Sequence, residues 1–255
     1  MFLRNSLILG QNAVKRFRAN TFAFPSFRYF SSEDPRNKYI PPLMDNLPMT
    51  PNPNFILSFK NIMFSALISG YFDPHFSRKN FLEGSKQAVE FVSNCLANED
   101  FDTLEESNCV TPECLTILKL KLLNFTKPQQ ERLAVSKEDI WFHFIYQIGV
   151  IMDDNNPTDR QVEITYIAHH IKDKEVNMEK AVDTFQAKRK SSLQKSAMAF
   201  VETMEEIEGA GPELLVYRFI RNYTRGVEDS WTINGINHRS IKDIHNEIKE
   251  RHGGR

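Results

Sequence analysis

The hydrophobic period of this 255-residue chain changes once, near Ile140. Before that point apolar residues recur at helical spacing. After it they fall into β-type runs, so the chain reads as helices first and a meandering sheet second. Ile140 to Met152 is the densest of these runs, with Trp141, Phe142, Phe144, Ile145, Tyr146, Ile148, Val150 and Ile151. Asp153-Asp154-Asn155-Asn156-Pro157 has turn composition, and Val162 to Ile171 alternates as an antiparallel partner would. Leu214 to Thr224 alternates again, and Trp231 to Asn237 is the last expected strand. The fold class expected is α+β, with N-terminal helices packed on an antiparallel sheet.

The helical half is punctuated. Asn54 precedes an apolar run from Phe55 to Phe72, which contains Lys60, Asn61, Ser65 and Ser69. A membrane-spanning helix needs about 20 apolar residues with few charges. This run is too short and carries a cation, so a core or interfacial helix is expected. Phe55, Phe59, Ile62 and Met63 are its candidate contacts with membrane or client. Pro74 ends that helix by disfavouring α geometry at Asp73. Ser77 offers a cap for a second helix to about Ala97. Thr111, Pro112 and Glu113 supply a cap, a first-turn proline and an acid at the positive dipole end of another helix. Residues 172–209 are charged and ambiguous, with a compositional lean to helix over 178–208. A polar helix closes the chain, within 241–255.

Charge is distributed unevenly. Residues 1–32 hold no Asp or Glu but carry Arg4, Lys15, Arg16, Arg18 and Arg28 among Phe, Leu and Val. An acid-free, basic, amphipathic N-terminus reads as a mitochondrial presequence, residues 1–30, cut between Phe30 and Ser31. Losing those five cations and no acid turns the formal net charge of −1 into −6. A mildly acidic chain of this kind has no general attraction for nucleic acid, and no specific DNA binding is expected. Residues 31–53 follow as a proline-rich tether or surface-wrapping arm, with Pro35, Pro41, Pro42, Pro48, Pro51 and Pro53. The compact domain is expected over 54–240. Lys188, Arg189 and Lys190 form its densest basic patch.

Catalytic chemistry is hard to find. Cys95, Cys109 and Cys114 lack the spacing of a zinc site, and three cysteines give no paired disulfide framework. His169 and His170 are adjacent, so a strand points them to opposite faces. His238, His245 and His252 read as solvated. No phosphate-binding Gly-rich loop, HExxH or GxSxG is present. Asp139 is the one carboxylate worth following, and it would matter only if a buried acid with a raised pKa faced a pocket. No catalytic residue, cofactor or metal is expected. A mean hydropathy of −0.44 speaks against many membrane spans.

Two segments carry a resemblance. The first is Tyr71-Phe72-Asp73, Phe76-Ser77, Phe81, Glu83-Gly84-Ser85-Lys86-Gln87-Ala88 and Phe101 to Glu106. The second is Arg225-Gly226-Val227 with Trp231-Thr232-Ile233. Together they resemble the mitochondrial matrix AAA protease-interacting proteins, within the group sharing the C-terminal domain of the inner-membrane import-motor anchor. The resemblance covers roughly 53–240. It implies helices on a curved antiparallel sheet, cone-shaped with an apolar pocket, and a strand over Ala197–Met204. It implies a non-enzymatic matrix protein, peripherally associated with the inner membrane. Its implied partners are the matrix AAA protease and newly imported inner-membrane proteins, including the calcium uniporter's small regulatory subunit. Promoting that subunit's sorting and assembly, and protecting it from degradation, is the implied function. The alternative is a ribosome-binding factor that tethers translation or insertion to the membrane. Tyr71, Phe72, Phe81, Gly84, Gly226 and Trp231 are read as holding the fold, with Gly84 as a close-approach glycine.

Overall fold

A computed structural model describes residues 40–44, 46–48, 55–152, 160–172, 212–224, 226–241 and 243–244, with side chains in the first helix from Phe59 onward. The presequence and its Phe30–Ser31 cut, the basic patch, residues 173–211 and most of 241–255 lie outside the described residues.

Helix α1 (Phe55–Leu67) continues as a π turn over Ile68–Phe72. α2 (Arg78–Ala97) is capped by Ser77, whose side chain accepts from the Asn80 N–H. α3 (Phe101–Ser107) is capped in the same way by Asp100. In α4 (Pro112–Leu122) Thr111 caps, Pro112 opens and Glu113 occupies the first turn, as its spacing predicts. The short α5 (Lys127–Glu131) is closed by Gln129, which accepts from the Thr126 N–H at 2.8 Å.

Among the described residues the sheet has four antiparallel strands in the order β1 (Ile140–Met152), β2 (Arg160–His170), β3 (Glu213–Asn222), β4 (Thr232–Ser240). The fold is therefore α+β, with a sheet that does not close. Its register aligns Ile145, Tyr166, Tyr217 and Ile236 in one cross-strand row. Extra residues at Tyr146 in β1 and Asn234 in β4 interrupt that register. Bulges of this kind bend a strand and sharpen its twist.

The core lies between α2 and the sheet. Phe81 of α2 meets Phe219 of β3 edge-on at 5.4 Å, and Val89, Val92 and Leu96 are buried along the same helix face. Each fully buried side chain of this size contributes about 1.5–3 kcal/mol.

Each outer strand has part of its edge met by another segment, which blunts edge-to-edge pairing. On β4, Ile233 exchanges hydrogen bonds with Cys109 and Thr111. Further along β4, the Asn237 amide accepts from the Leu43 N–H and donates to the Met44 carbonyl, both at 3.0 Å. A Cβ on Gly235 would stand 3.1 Å from Leu47. Ile40, Leu43, Met44 and Leu47 are buried with the core. These apolar residues pack although they form no helix or strand. The other outer strand, β1, is covered by α1.

Candidate functional site: the outward-facing helix

Helix α1 packs on β1 with its amphipathicity reversed. Phe59, Ile62 and Met63 are 60%, 58% and 58% exposed, and Leu67 continues their stripe. Spacings of three and four residues put these side chains on one helix face. Asn61 and Ser65, by contrast, are only 4% and 7% exposed. They lie on the face turned to β1, four residues apart. The Ser65 hydroxyl donates to the Asn61 carbonyl at 2.8 Å, and Ser69 repeats the pattern onto Ser65 at 3.1 Å.

The Asn61 side chain explains the inward polarity. Its Nδ2 donates to the Tyr146 carbonyl at 2.8 Å, and its Oδ1 accepts from the Ile148 N–H at 2.9 Å. One side-chain amide thus pairs with the unpaired edge of β1 as a neighbouring strand's peptide would. Buried backbone groups must find such partners, and Asn supplies both a donor and an acceptor. No helix among the described residues is long and apolar enough to cross a membrane. Of the four candidate contacts, the structure places Phe59, Ile62 and Met63 together in solvent. Phe55 opens the same helix, and its side chain lies outside the described residues.

At its C-terminal end α1 is pinned. Phe72 stacks on Tyr223 at 5.6 Å, and Asp73 forms an ion pair with Arg221 at 2.8 Å. Tyr223 and Phe81 both meet Trp231 edge-on, and Phe76 packs beside Phe81 and Trp231. Phe72, Phe81 and Trp231 therefore join the helices to the sheet through one aromatic cluster. Tyr71 is exposed, with the Arg160 guanidinium 5.3 Å from its ring. Gly226 has φ +82°, where glycine is favoured. Gly84 is not a close-approach glycine: a Cβ there would meet nothing within 4 Å.

A second polar group is buried at the opposite end of the strands. Glu213 is paired with Arg132 at 2.5 Å and with His170 Nδ1 at 3.3 Å. Burial pushes the Glu213 carboxyl up, but His170 and Arg132 outweigh it and hold it below the usual carboxylate range. It stays ionised and acts as a structural counter-ion, the reverse of a raised-pKa general acid. Asp139 is half-buried, its carbonyl accepting from the Ile171 N–H. His238 corrects the expectation of a solvated residue. It is fully buried on β4, and the Tyr217 hydroxyl lies 2.7 Å from its Nε2. Burial lowers its pKa to about 4, so the imidazole is neutral at physiological pH. His169 and His170 face opposite ways. His169 sits against Trp141 and Phe142, and His170 against Glu213.

Comparison with known proteins bears on this arrangement. A mouse protein named m-AAA protease-interacting protein 1, mitochondrial, is 28% identical over 225 residues, covering 79% of this chain and 72% of the mouse protein. Bovine and human proteins of the same name are each 30% identical, over 181 and 177 residues. The chain is a homologue of the m-AAA protease-interacting proteins. It matches 56% of the bovine and 55% of the human protein, so it spans little more than half of their length. No protein-family model matches the sequence. These relatives are named as mitochondrial and as partners of the m-AAA protease, which agrees with the resemblance of the Tyr71–Glu106 and Arg225–Ile233 segments.

Sequence reasoning did not single out Asn61, Arg221, Tyr223 or Glu213. Only Asn61 left a local signal. Polar residues at 61, 65 and 69 recur every four positions inside an apolar helix, so they share one face. The Asp73–Arg221 and Glu213–His170 pairs join residues far apart in sequence and leave none.

Proposed function

We propose that this protein is a non-enzymatic mitochondrial adaptor that binds the m-AAA protease and offers the outer face of α1 to apolar surfaces. It works from the matrix side, in peripheral contact with the inner membrane. Its clients are newly imported inner-membrane proteins. The family resemblance adds sorting, assembly and protection of the calcium uniporter's small regulatory subunit. The observation that carries the reading is the Phe59–Ile62–Met63–Leu67 stripe. It is an exposed apolar helix face on an element whose Asn61 is already used against β1. The protease as partner is supported by the names of the homologues. The ribosome-binding alternative rests on the family resemblance and on Lys188, Arg189 and Lys190, which lie outside the described residues, so no structural observation favours it.

Affinity purification from mitochondria in mild detergent tests the proposal. The wild-type chain is expected to recover the m-AAA protease together with membrane clients. A triple variant with Phe59, Ile62 and Met63 each changed to Ser is expected to keep the protease and lose the clients. Failure of the wild-type chain to recover the protease would sink the adaptor reading.

A further inference from the structure

Three polar atoms between α2 and the sheet are buried with no hydrogen-bond partner among the described residues. They are the Ser85 hydroxyl, Nδ1 of His143 and the Tyr166 hydroxyl. Buried polar groups ordinarily find a partner, and each exception needs a reason. Residues of the same kinds show the ordinary outcome here. Ser65 and Ser69 return their hydroxyls to the carbonyl four residues back. Tyr217, paired with Tyr166 across the β2–β3 register, has its hydroxyl 2.7 Å from His238. Ser85 and Tyr166 do neither, although they are only 2% and 0% exposed.

The three groups belong to one place. The register sets Ile145 against Tyr166 and His143 against Ala168, so His143 and Tyr166 are diagonal neighbours on one face of the sheet. Their rings lie 5.7 Å apart. Ser85 shares the buried face of α2 with Phe81 and Val89. Phe81 meets Phe219, and Phe219 meets Tyr166 edge-on at 6.3 Å, so that face of α2 lies over this part of the sheet. Glu83 and Lys86, on either side of Ser85, both act on His143 through their charges, and Glu83 also acts on Tyr166. His143 is half-buried, and Gly84 is exposed with open space where a Cβ would be, so the place borders solvent.

The groups are neutral. Burial, with Lys86, holds His143 below the usual imidazole range despite Glu83. Burial, with Glu83, raises Tyr166, so its hydroxyl keeps its proton. Both hydroxyls donate, and a neutral imidazole can carry its proton on Nδ1. The charges of Glu83 and Lys86 offset each other, so an ion buried here would have no net counter-charge. We propose that Ser85, His143 and Tyr166 form a binding site for a small neutral molecule bearing a carbonyl oxygen. That oxygen takes their hydrogen bonds, and the apolar part lies against Phe81 and Phe219. The site is separate from the α1 stripe and does not rest on the adaptor reading.

Titration of the full chain with cyclohexanone, followed by the ring signals of Tyr166 and His143 in carbon-resolved NMR, tests the site. Saturable shifts of both rings are expected, with cyclohexane at equal concentration giving none. Tyr166→Phe and Ser85→Ala should each weaken cyclohexanone binding about tenfold, the scale of one lost hydrogen bond. Neither variant should lower the urea midpoint, because neither hydroxyl has a protein partner to lose. Absence of a shift, equal shifts with cyclohexane, or unchanged affinity in Tyr166→Phe would overturn the proposal. A lowered midpoint in Tyr166→Phe without a cyclohexanone shift would assign the hydroxyl to an ordered water alone, and that too would overturn it.

Discussion

Helices α1 and α2 are neighbours in sequence and use amphipathicity in opposite ways. α2 turns Phe81, Val89, Val92 and Leu96 inward and leaves Lys79, Glu83 and Gln87 in water. α1 turns Asn61 and Ser65 inward and leaves Phe59, Ile62 and Met63 outside. The difference comes from what each helix covers. α2 lies on the apolar face of the sheet, where burial of hydrocarbon is the favourable term. α1 lies against a strand edge, where the need is for hydrogen-bond partners. The apolar face of α1 is thereby left exposed.

The largest effect should separate the two helices directly. Leu96→Ala in α2 removes a fully buried side chain and should cost roughly 2–5 kcal/mol in urea unfolding. Phe59→Ala in α1 should change stability by no more than about 0.5 kcal/mol, as for an exposed position. Equal losses would end the contrast.

Acid should weaken the sheet end of the core. His238 is held neutral with a pKa near 4. The unfolded chain takes up its proton from about pH 6.5 downward, while the folded chain resists until near pH 4. Stability should therefore fall across that window by on the order of 3 kcal/mol, and His238→Gln should flatten the fall. Glu213 acts in the same direction. Its lowered folded pKa gives a stabilisation that is complete above the ordinary carboxylate range and fades as pH falls through the folded value. Unfolding free energies of the wild-type chain and of His238→Gln, measured from pH 7 to acid, check this.

Asp73→Ala should cost about 1.5 kcal/mol by leaving Arg221 without its carboxylate, and should loosen the anchored end of α1. Hydrogen exchange would show the loosening, and an unchanged α1 would contradict it. Gly84→Ala is the one change expected to stabilise. Its Cβ meets open space on a helix, so the variant should be stabilised by about 0.5–1 kcal/mol. A loss of stability would restore a packing role to Gly84.

Much of the fold was legible because its signals are local. Ser77, Thr111 and Pro112 announce helix starts within four residues, and the alternation of Val162, Ile164 and Tyr166 announces a strand. β1 runs from Ile140 to Met152, the limits that the apolar run suggests. What stayed hidden is long-range. Leu43 and Met44 meet Asn237 across 194 and 193 positions, so prolines alone made that segment look unpacked. His238 looked solvated because burial on β4 depends on Tyr217, a residue of another strand. The apolar run 55–72 showed that a helix forms there. It did not show which face is inward, because that depends on the edge of β1.

The central claim is that the α1 stripe serves contact and not the core. Changing Phe59, Ile62 and Met63 together to Ser, and measuring flotation with phosphatidylcholine–phosphatidylglycerol vesicles alongside the urea midpoint, tests it most directly. The account predicts an unchanged midpoint and loss of flotation. A lowered midpoint with flotation intact would contradict it.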